Sequence, residues 1–340
     1  MFKPELFNSL KNYSTKTFVS DLIAGVIVGV VALPLAIAFA IASGVSPERG
    51  LFTAIIAGFC ISFFGGSKVQ IGGPTGAFAV IVYGVVNKFG YEGLVIATIM
   101  AGILLILLGA FKMGGLVKFI PYTIVTGFTA GIAVTILTGQ IGDFFGLTKR
   151  KMPGDFVGKI KVYIESFNTI NWYSFGIAAI SLIVIFLWPK INKKVPGSLI
   201  VIILATVVSL ILEHTLGWKT DTIGSRYGAI PSSLPAPTIP GISLDLIKQL
   251  FPTAISIAVL AAIESLLSAV VADGMIGSKH DSNTELIAQG IANIASPIFG
   301  GIPATGAIAR TATNIKNGGK TPVAGIIHAI VLLLIMMLLG

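Results

Sequence analysis

The stretch "GGPTGAFAV", residues 72–80, interrupts an apolar run with two glycines, a proline and a threonine. Proline lacks an N–H and clashes with the preceding helical turn, and glycine adopts backbone angles closed to other residues. A second stretch, "GGIPATGA" at 300–307, repeats the order of two glycines, a proline and a Thr-Gly-Ala triplet. Both lie in a 340-residue chain that is 54% hydrophobic and 11% charged, with a mean hydropathy of +0.94. Soluble domains carry about 25% charged residues. Apolar stretches approaching the ~17–25 residues of a bilayer-spanning helix recur along the chain, and the alternating pattern of barrel strands does not. The fold class expected is an all-α polytopic membrane protein.

Eleven spans are expected, at about 22–43, 50–65, 75–88, 93–111, 120–143, 172–188, 197–214, 251–273, 284–299, 304–316 and 322–340. Lys3, Lys11 and Lys16 precede an apolar run ending in "AFAIAS", the outline of a signal peptide. That run, Leu22 to Ala42, is longer than a typical cleaved segment and is followed by equally apolar ones, so it reads as the first span. Lys and Arg favour the cytoplasmic side of short loops. With residues 1–21 as a cytoplasmic N-terminus, inside segments hold Lys3, Lys11, Lys16, Lys68, Lys112, Lys118, Lys190, Lys193, Lys194, Lys279, Lys316 and Lys320, while short outside segments hold mainly Arg49 and Lys88. Residues 144–171, with Lys149, Arg150, Lys151, Lys159 and Lys161, run against this pattern. Residues 215–250, with "IPSSLPAPTIPG", are expected as a proline-rich extracellular spacer. The net charge of +9 is thus assigned to orientation in a membrane, and nucleic acid is not an expected partner. His214, His280 and His328 have no local spacing suited to zinc.

The position of the two broken stretches matters more than their likeness. Pro34 lies 40 residues before Pro74, and Glu264 lies 39 before Pro303, with one span intervening each time. Residues 22–214 supply seven spans, an odd number, so a second unit starting near 251 has the opposite orientation. Residues 251–340 supply only four, so the second inverted repeat is expected to be incomplete by three spans.

A helix broken in lipid leaves N–H groups that must be satisfied, and its N-terminus carries about half a positive charge. Two half-helices beginning near the midplane from inverted units would point these ends at one another, and an anion fits between them. The expected substrate contacts are the hydroxyls of Thr75 and Thr305 and the N–H groups of Gly76, Ala77, Gly306 and Ala307, with Arg310 offsetting the anion's charge. Glu264, in a long apolar run, shares a helical face with Ser268 and is the expected cation-coupling residue, carrying a proton or lying beside Na⁺. Asp21 and Asp273 read as interfacial caps.

The stretch from "DLIAGVIVGVVALPLAIAFA" through "GGPTGAFAV" (21–80), "AAIESLLSAVVADG" (261–274) and "GGIPATGAIARTATNIKNGGKTPVAG" (300–325) resembles, in order, signatures of the sulfate permease (SulP) anion transporter family. The resemblance implies a core of seven plus seven inverted spans, a substrate site between the third and tenth spans, an elevator-like movement of spans one to four and eight to eleven against the rest, and a following STAS domain, which is expected to be absent from residues 1–340. It also implies that Glu264 stands where bicarbonate-type members have a Na⁺-binding aspartate, that Ser268 stands at a Thr or Ser partner of that ion, and that Arg310 is the arginine of span ten. Glutamate in place of aspartate moves weight from Na⁺ to H⁺ as the coupling ion. Homodimers are common in the family.

The expected function is secondary active transport of a small anion such as sulfate or bicarbonate. The alternative from another class is a non-transporting truncated remnant or assembly partner. A nucleobase carrier on a related fold would need polar side chains matched to base edges, which the two motifs lack. No nucleophile–base pair or metal cluster points to an enzyme, and no cofactor is expected beyond Na⁺ or H⁺.

Overall fold

Backbone in lipid has no water to bond, so apolar sequence there folds as helices that satisfy their own N–H and C=O groups. A computed structural model describes residues 2–115, 122–148, 153, 155–192, 197–218, 221–241 and 243–339 and shows an all-α, polytopic architecture. Lys118, Lys149, Arg150, Lys151, Lys193 and Lys194, used above for orientation, lie outside the described residues. In chain order the helices are α1 (Glu5–Leu10), α2 (Thr15–Ala42), α3 (Pro47–Phe64), α4 (Ala79–Ala110), α5 (Tyr122–Phe144), α6 (Phe156–Glu165), α7 (Trp172–Ile191), α8 (Gly197–Leu216), α9 (Ile223–Tyr227), α10 (Leu244–Ile276), α11 (Ser282–Ile298), α12 (Ile308–Lys316) and α13 (Pro322–Leu339). Two short strands, β1 (Gly72–Gly73) and β2 (Thr305–Gly306), form an antiparallel pair. Among the described residues, α2, α3, the segment Gly76–Ala110, α7 and α10 are long and apolar enough to cross a membrane.

The expected spans at 75–88 and 93–111 form α4 with an interruption at Gly90, whose φ of 70° favours glycine. Pro34, expected to interrupt the first span, sits within α2, which continues through it. The span expected from 251 begins earlier, because Ser243 accepts the Leu246 N–H at 3.2 Å and caps α10. The span expected from 304 is helical only from Ile308, since the preceding residues form β2.

The chain divides into two compact units, residues 1–124 with 230–340, and residues 125–229. This division by packing does not follow the two repeats expected from the sequence, 22–214 and 251–340. In the first unit, Leu94, Ala97, Ala101 and Leu105 of α4 pack with Leu250, Ile257 and Ala261 of α10 and Leu286 of α11. Lipid supplies little hydrophobic drive between helices, so small residues let backbones touch. At Gly102 and Gly290 an added Cβ would press on the carbonyl of the facing glycine, which brings α4 and α11 into direct backbone contact. Asp21, fully buried on α2, accepts the N–H groups of Lys320 (2.7 Å) and Thr321 (3.2 Å) and the hydroxyls of Thr321 (2.5 Å) and Tyr13 (3.0 Å), so it ties α2 to the start of α13. The segment 215–250 is more than a spacer: Ile230 and Leu234 pack on a core of α2, α3 and α13, and the Thr238 N–H donates to Ile298 O at 2.9 Å. In the second unit, α7 packs on α8, and Arg226 of α9 pairs with Asp143 and Asp221.

Candidate functional site

The two broken stretches meet as the β1–β2 pair, with Gly72 opposite Gly306 and Gly73 opposite Thr305, and the Ala307 N–H donates to Ile71 O at 2.8 Å. β1 is followed by Pro74, Thr75 and a tight turn at Gly76–Phe78 leading into α4, and β2 by α12. Neither helix start is capped by a side chain.

Glu264 is 8% exposed on α10, and its Oε2 accepts the Thr75 hydroxyl at 2.9 Å. Thr305 donates to Ala261 O at 3.2 Å and shares a 2.6 Å bond with Ser265, whose Oγ also accepts the Gly306 N–H at 3.1 Å. One proton assignment satisfies all three groups: Ser265 donates to Thr305, and Thr305 donates to the carbonyl. Arg310 is 2% exposed; it donates through Nη2 to Pro74 O and through Nη1 to Gly72 O at 3.4 Å, and so does not snorkel to a surface. A Cβ on Gly73 would strike this guanidinium, and Gly73 has φ 149°, so glycine is required there on both counts.

All nine expected site residues therefore gather around one strand pair, but several are already bonded to protein. The Gly306 and Ala307 N–H groups go to Ser265 Oγ and Ile71 O. The Thr75 and Thr305 hydroxyls go to α10. Ser268 donates to Thr311 Oγ1 at 3.4 Å, and Arg310 addresses carbonyls of the first break. The physical reason is that irregular backbone in an apolar interior takes its bonds from neighbouring side chains. Among the described residues, the N–H groups that precede the first intrahelical bonds are Gly76 and Ala77 ahead of α4, and Ile308, Ala309 and Arg310 ahead of the Thr311-to-Ala307 bond of α12. Ala77 and Ile308 are half-buried and Ala309 is exposed.

The approaches to both breaks are clamped by helices distant in sequence. Glu285 of α11, fully buried, accepts the Gly66 (2.9 Å) and Ser67 (3.3 Å) N–H groups, and Asn314 of α12 donates to Val69 O at 2.8 Å. Gln70 donates to Ser265 O at 3.1 Å, and Thr311 accepts the Ile71 N–H at 3.0 Å. On the second approach, Arg49 lies 3.4 Å over the Tyr91 ring and donates to Gly300 O at 3.1 Å, Tyr91 donates to Gly301 O at 2.8 Å, and Thr53 accepts the Ile302 N–H at 2.7 Å. Sequence reading missed Ser265, Thr311, Asn293 and Glu285. The signal was present on α11, where Glu285, Gln289, Asn293 and Ser296 recur at helical spacing on one face.

Residues 18–340 match the sulfate permease family model. YvdB of Bacillus subtilis (strain 168), described as a candidate sulfate transporter, is 52% identical over 96% of this chain and 61% of its own length. The bicarbonate transporter BicA of Picosynechococcus sp. (strain ATCC 27264 / PCC 7002 / PR-6) is 32% identical over 87% of this chain and 53% of its own. The chain thus spans less than two thirds of these relatives. Among solved structures, the transmembrane domain of a cyanobacterial BicA superposes with a TM-score of 0.84 at 32% identity, over 96% of this chain and 83% of that one. Murine Slc26a9, an anion transporter solved in the inward-facing state, shares the fold with a TM-score of 0.85 at 21% identity, over 99% of this chain and 59% of that one.

Proposed function

The chain belongs to the sulfate permease family, and on that premise we propose that the protein carries a small inorganic anion, sulfate or bicarbonate, across a bacterial plasma membrane by secondary active transport. The anion sits at the ends of the two uncapped helices, held by the N–H groups of Gly76, Ala77, Ile308 and Ala309. Thr75 and Thr305 act one step behind, fixing those ends to α10, and Arg310 supplies positive charge while bracing the first break. Glu264 carries the coupling ion, H⁺ or Na⁺, and reports its state to the anion through Thr75. Residues 1–124 and 230–340 form the substrate-bearing body of an elevator-like cycle, with the inverted-repeat relation placing its two helix ends face to face.

The observation that carries this reading is the antiparallel pairing of β1 with β2, the strands that lead into two helix starts neither of which is capped by a side chain. Uptake of sulfate, bicarbonate and fumarate into proteoliposomes, each with an imposed proton or sodium gradient, tests it. One inorganic anion should accumulate under one gradient, and Glu264→Gln should abolish the gradient dependence while leaving membrane insertion intact. Uptake that is indifferent to both gradients, or a Glu264→Gln variant that stays coupled, removes Glu264 from this role; absence of anion uptake refutes the transport reading.

A further inference from the structure

One edge of β2 is satisfied by β1, and the opposite edge would lie bare in the protein interior, where an unpaired backbone group is costly. That edge is covered by side chains. Asn293 of α11, fully buried, accepts the Ala304 N–H through Oδ1 at 2.9 Å and donates through Nδ2 to Ala304 O at 2.8 Å. Its second Nδ2 proton goes to Gln289 O at 2.8 Å, so the three bonds together fix which way the amide points. A side-chain amide presenting its O and N–H to the N–H and C=O of one residue reproduces the two-bond ring of a paired strand residue. Two residues on, Ser265 covers the Gly306 N–H, and one turn further along α11, Ser296 donates to Ile302 O at 2.8 Å.

We propose that Asn293, aided by Ser265, acts as a surrogate third strand that sets the register of β2 and so aims the start of α12 at the anion. It is a positioning residue, and the inference rests on the anion site proposed above. Strand register has a period of two, so a slip of one residue would turn Thr305 and Ala307 away from β1 and exchange the edges that Ala304 and Gly306 present. Only Thr305, Gly306 and Ala307 separate Ala304 from Ile308, whose N–H is one of the open donors, which leaves little slack between the clamp and the ligand.

The test is Asn293→Asp, because a carboxyl group mimics the amide only when protonated. Ionised, it accepts from the Ala304 N–H but sets a second oxygen against Ala304 O; protonated, its one proton restores the bond to Ala304 O, while the bond to Gln289 O is lost in both states. Binding of sulfate and bicarbonate to the full chain in nanodiscs is measured for wild type and variant from pH 7.5 to pH 5. Wild type is measured at each pH beside the variant, so that a pH dependence common to both, as from Glu264 on α10 or Glu285 on α11, is told apart from one that the variant adds. Expected is an affinity about tenfold weaker at pH 7.5, the scale of one lost buried hydrogen bond, with recovery toward the wild-type value on acidification. Asn293→Leu, which neither donates nor accepts at any pH, should bind about tenfold more weakly throughout; wild-type affinity in that variant, or a loss in Asn293→Asp that acid does not reverse in folded protein, overturns the proposal. Fewer folded molecules with unchanged affinity would mean a merely structural role and also overturns it. Amide hydrogen exchange on the wild type decides the matter if the variant does not fold: the Ala304 and Gly306 N–H groups should exchange as slowly as helix amides, and rapid exchange refutes the surrogate strand. If wild type binds neither anion, the transport reading fails while the exchange result still stands.

Discussion

Arg310 gives the sharpest prediction, because beside the charge-offsetting role proposed for it the structure bonds its guanidinium to two carbonyls of the first break. Replacing it by Met keeps most of the side-chain volume and removes both donors, which orphans Gly72 O and Pro74 O in the interior. Each lost charge-assisted bond is worth about 1.5–3 kcal/mol; two such bonds, less the relief of no longer burying a guanidinium, leave a destabilisation of roughly 3 kcal/mol. Arg310→Lys keeps a charge but not the fork, reaches one carbonyl, and should lose about half as much. The chain carries its own probes for the assay. Cys60, the sole cysteine, is half-buried in the unit of residues 1–124 and 230–340, whereas Trp172, Trp188 and Trp218 all lie in residues 125–229. Thiol labelling of Cys60 against rising SDS in mixed micelles should shift to lower detergent for Arg310→Met, less so for Arg310→Lys, while tryptophan fluorescence marks the other unit as an internal control. Wild-type protection of Cys60 in Arg310→Met would show that the guanidinium does not brace the first break, and the two-carbonyl account would be withdrawn.

Gly306→Ala would drive a Cβ into the Gln70 side chain, an overpacking of roughly 1–3 kcal/mol; Gln70→Ala in the same chain should recover most of the lost Cys60 protection, and additive losses would refute the contact. Asp21→Ala removes the acceptor that ties α2 to the start of α13 and should cost at least the roughly 1–2 kcal/mol of a helix cap, read by hydrogen exchange at Lys320 and Thr321. Burial, followed by the charge of Asp21, holds the Tyr13 hydroxyl up at about 12, above the usual tyrosine value of 10.0. The hydrogen bond it donates is therefore present below pH 10 and lost as pH rises through about 12. Ultraviolet titration of wild type against Tyr13→Phe should resolve a tyrosinate with that late midpoint, and a midpoint near 10 would contradict the half-buried contact with Asp21.

Much of this arrangement is visible in composition and spacing. Apolar length foretold the helices, and the glycine–proline stretches foretold the breaks, because both follow from local backbone chemistry. The partners of the freed backbone groups were not visible, since they lie far away along the chain: Thr311 for Ile71, Arg310 for Pro74, Asn293 for Ala304. A lone threonine hydroxyl looks free in a sequence, and only packing reveals that Thr305 is spent on Ala261 O. Pro34 misled for a related reason: a proline can remain within a helix where the surrounding structure accommodates the missing bond, as α2 does.

The mutual bracing of the two breaks also bears on how the molecule is made. Ile71, Gly72 and Pro74 obtain these partners from residues translated 236 to 240 positions later. At ~5–20 residues per second, a nascent chain holds raw peptide groups near the insertion machinery for roughly 10–50 seconds before relief arrives. The first half therefore waits, sheltered by water or by the translocon, and assembly of this region is completed by the second half instead of proceeding span by span.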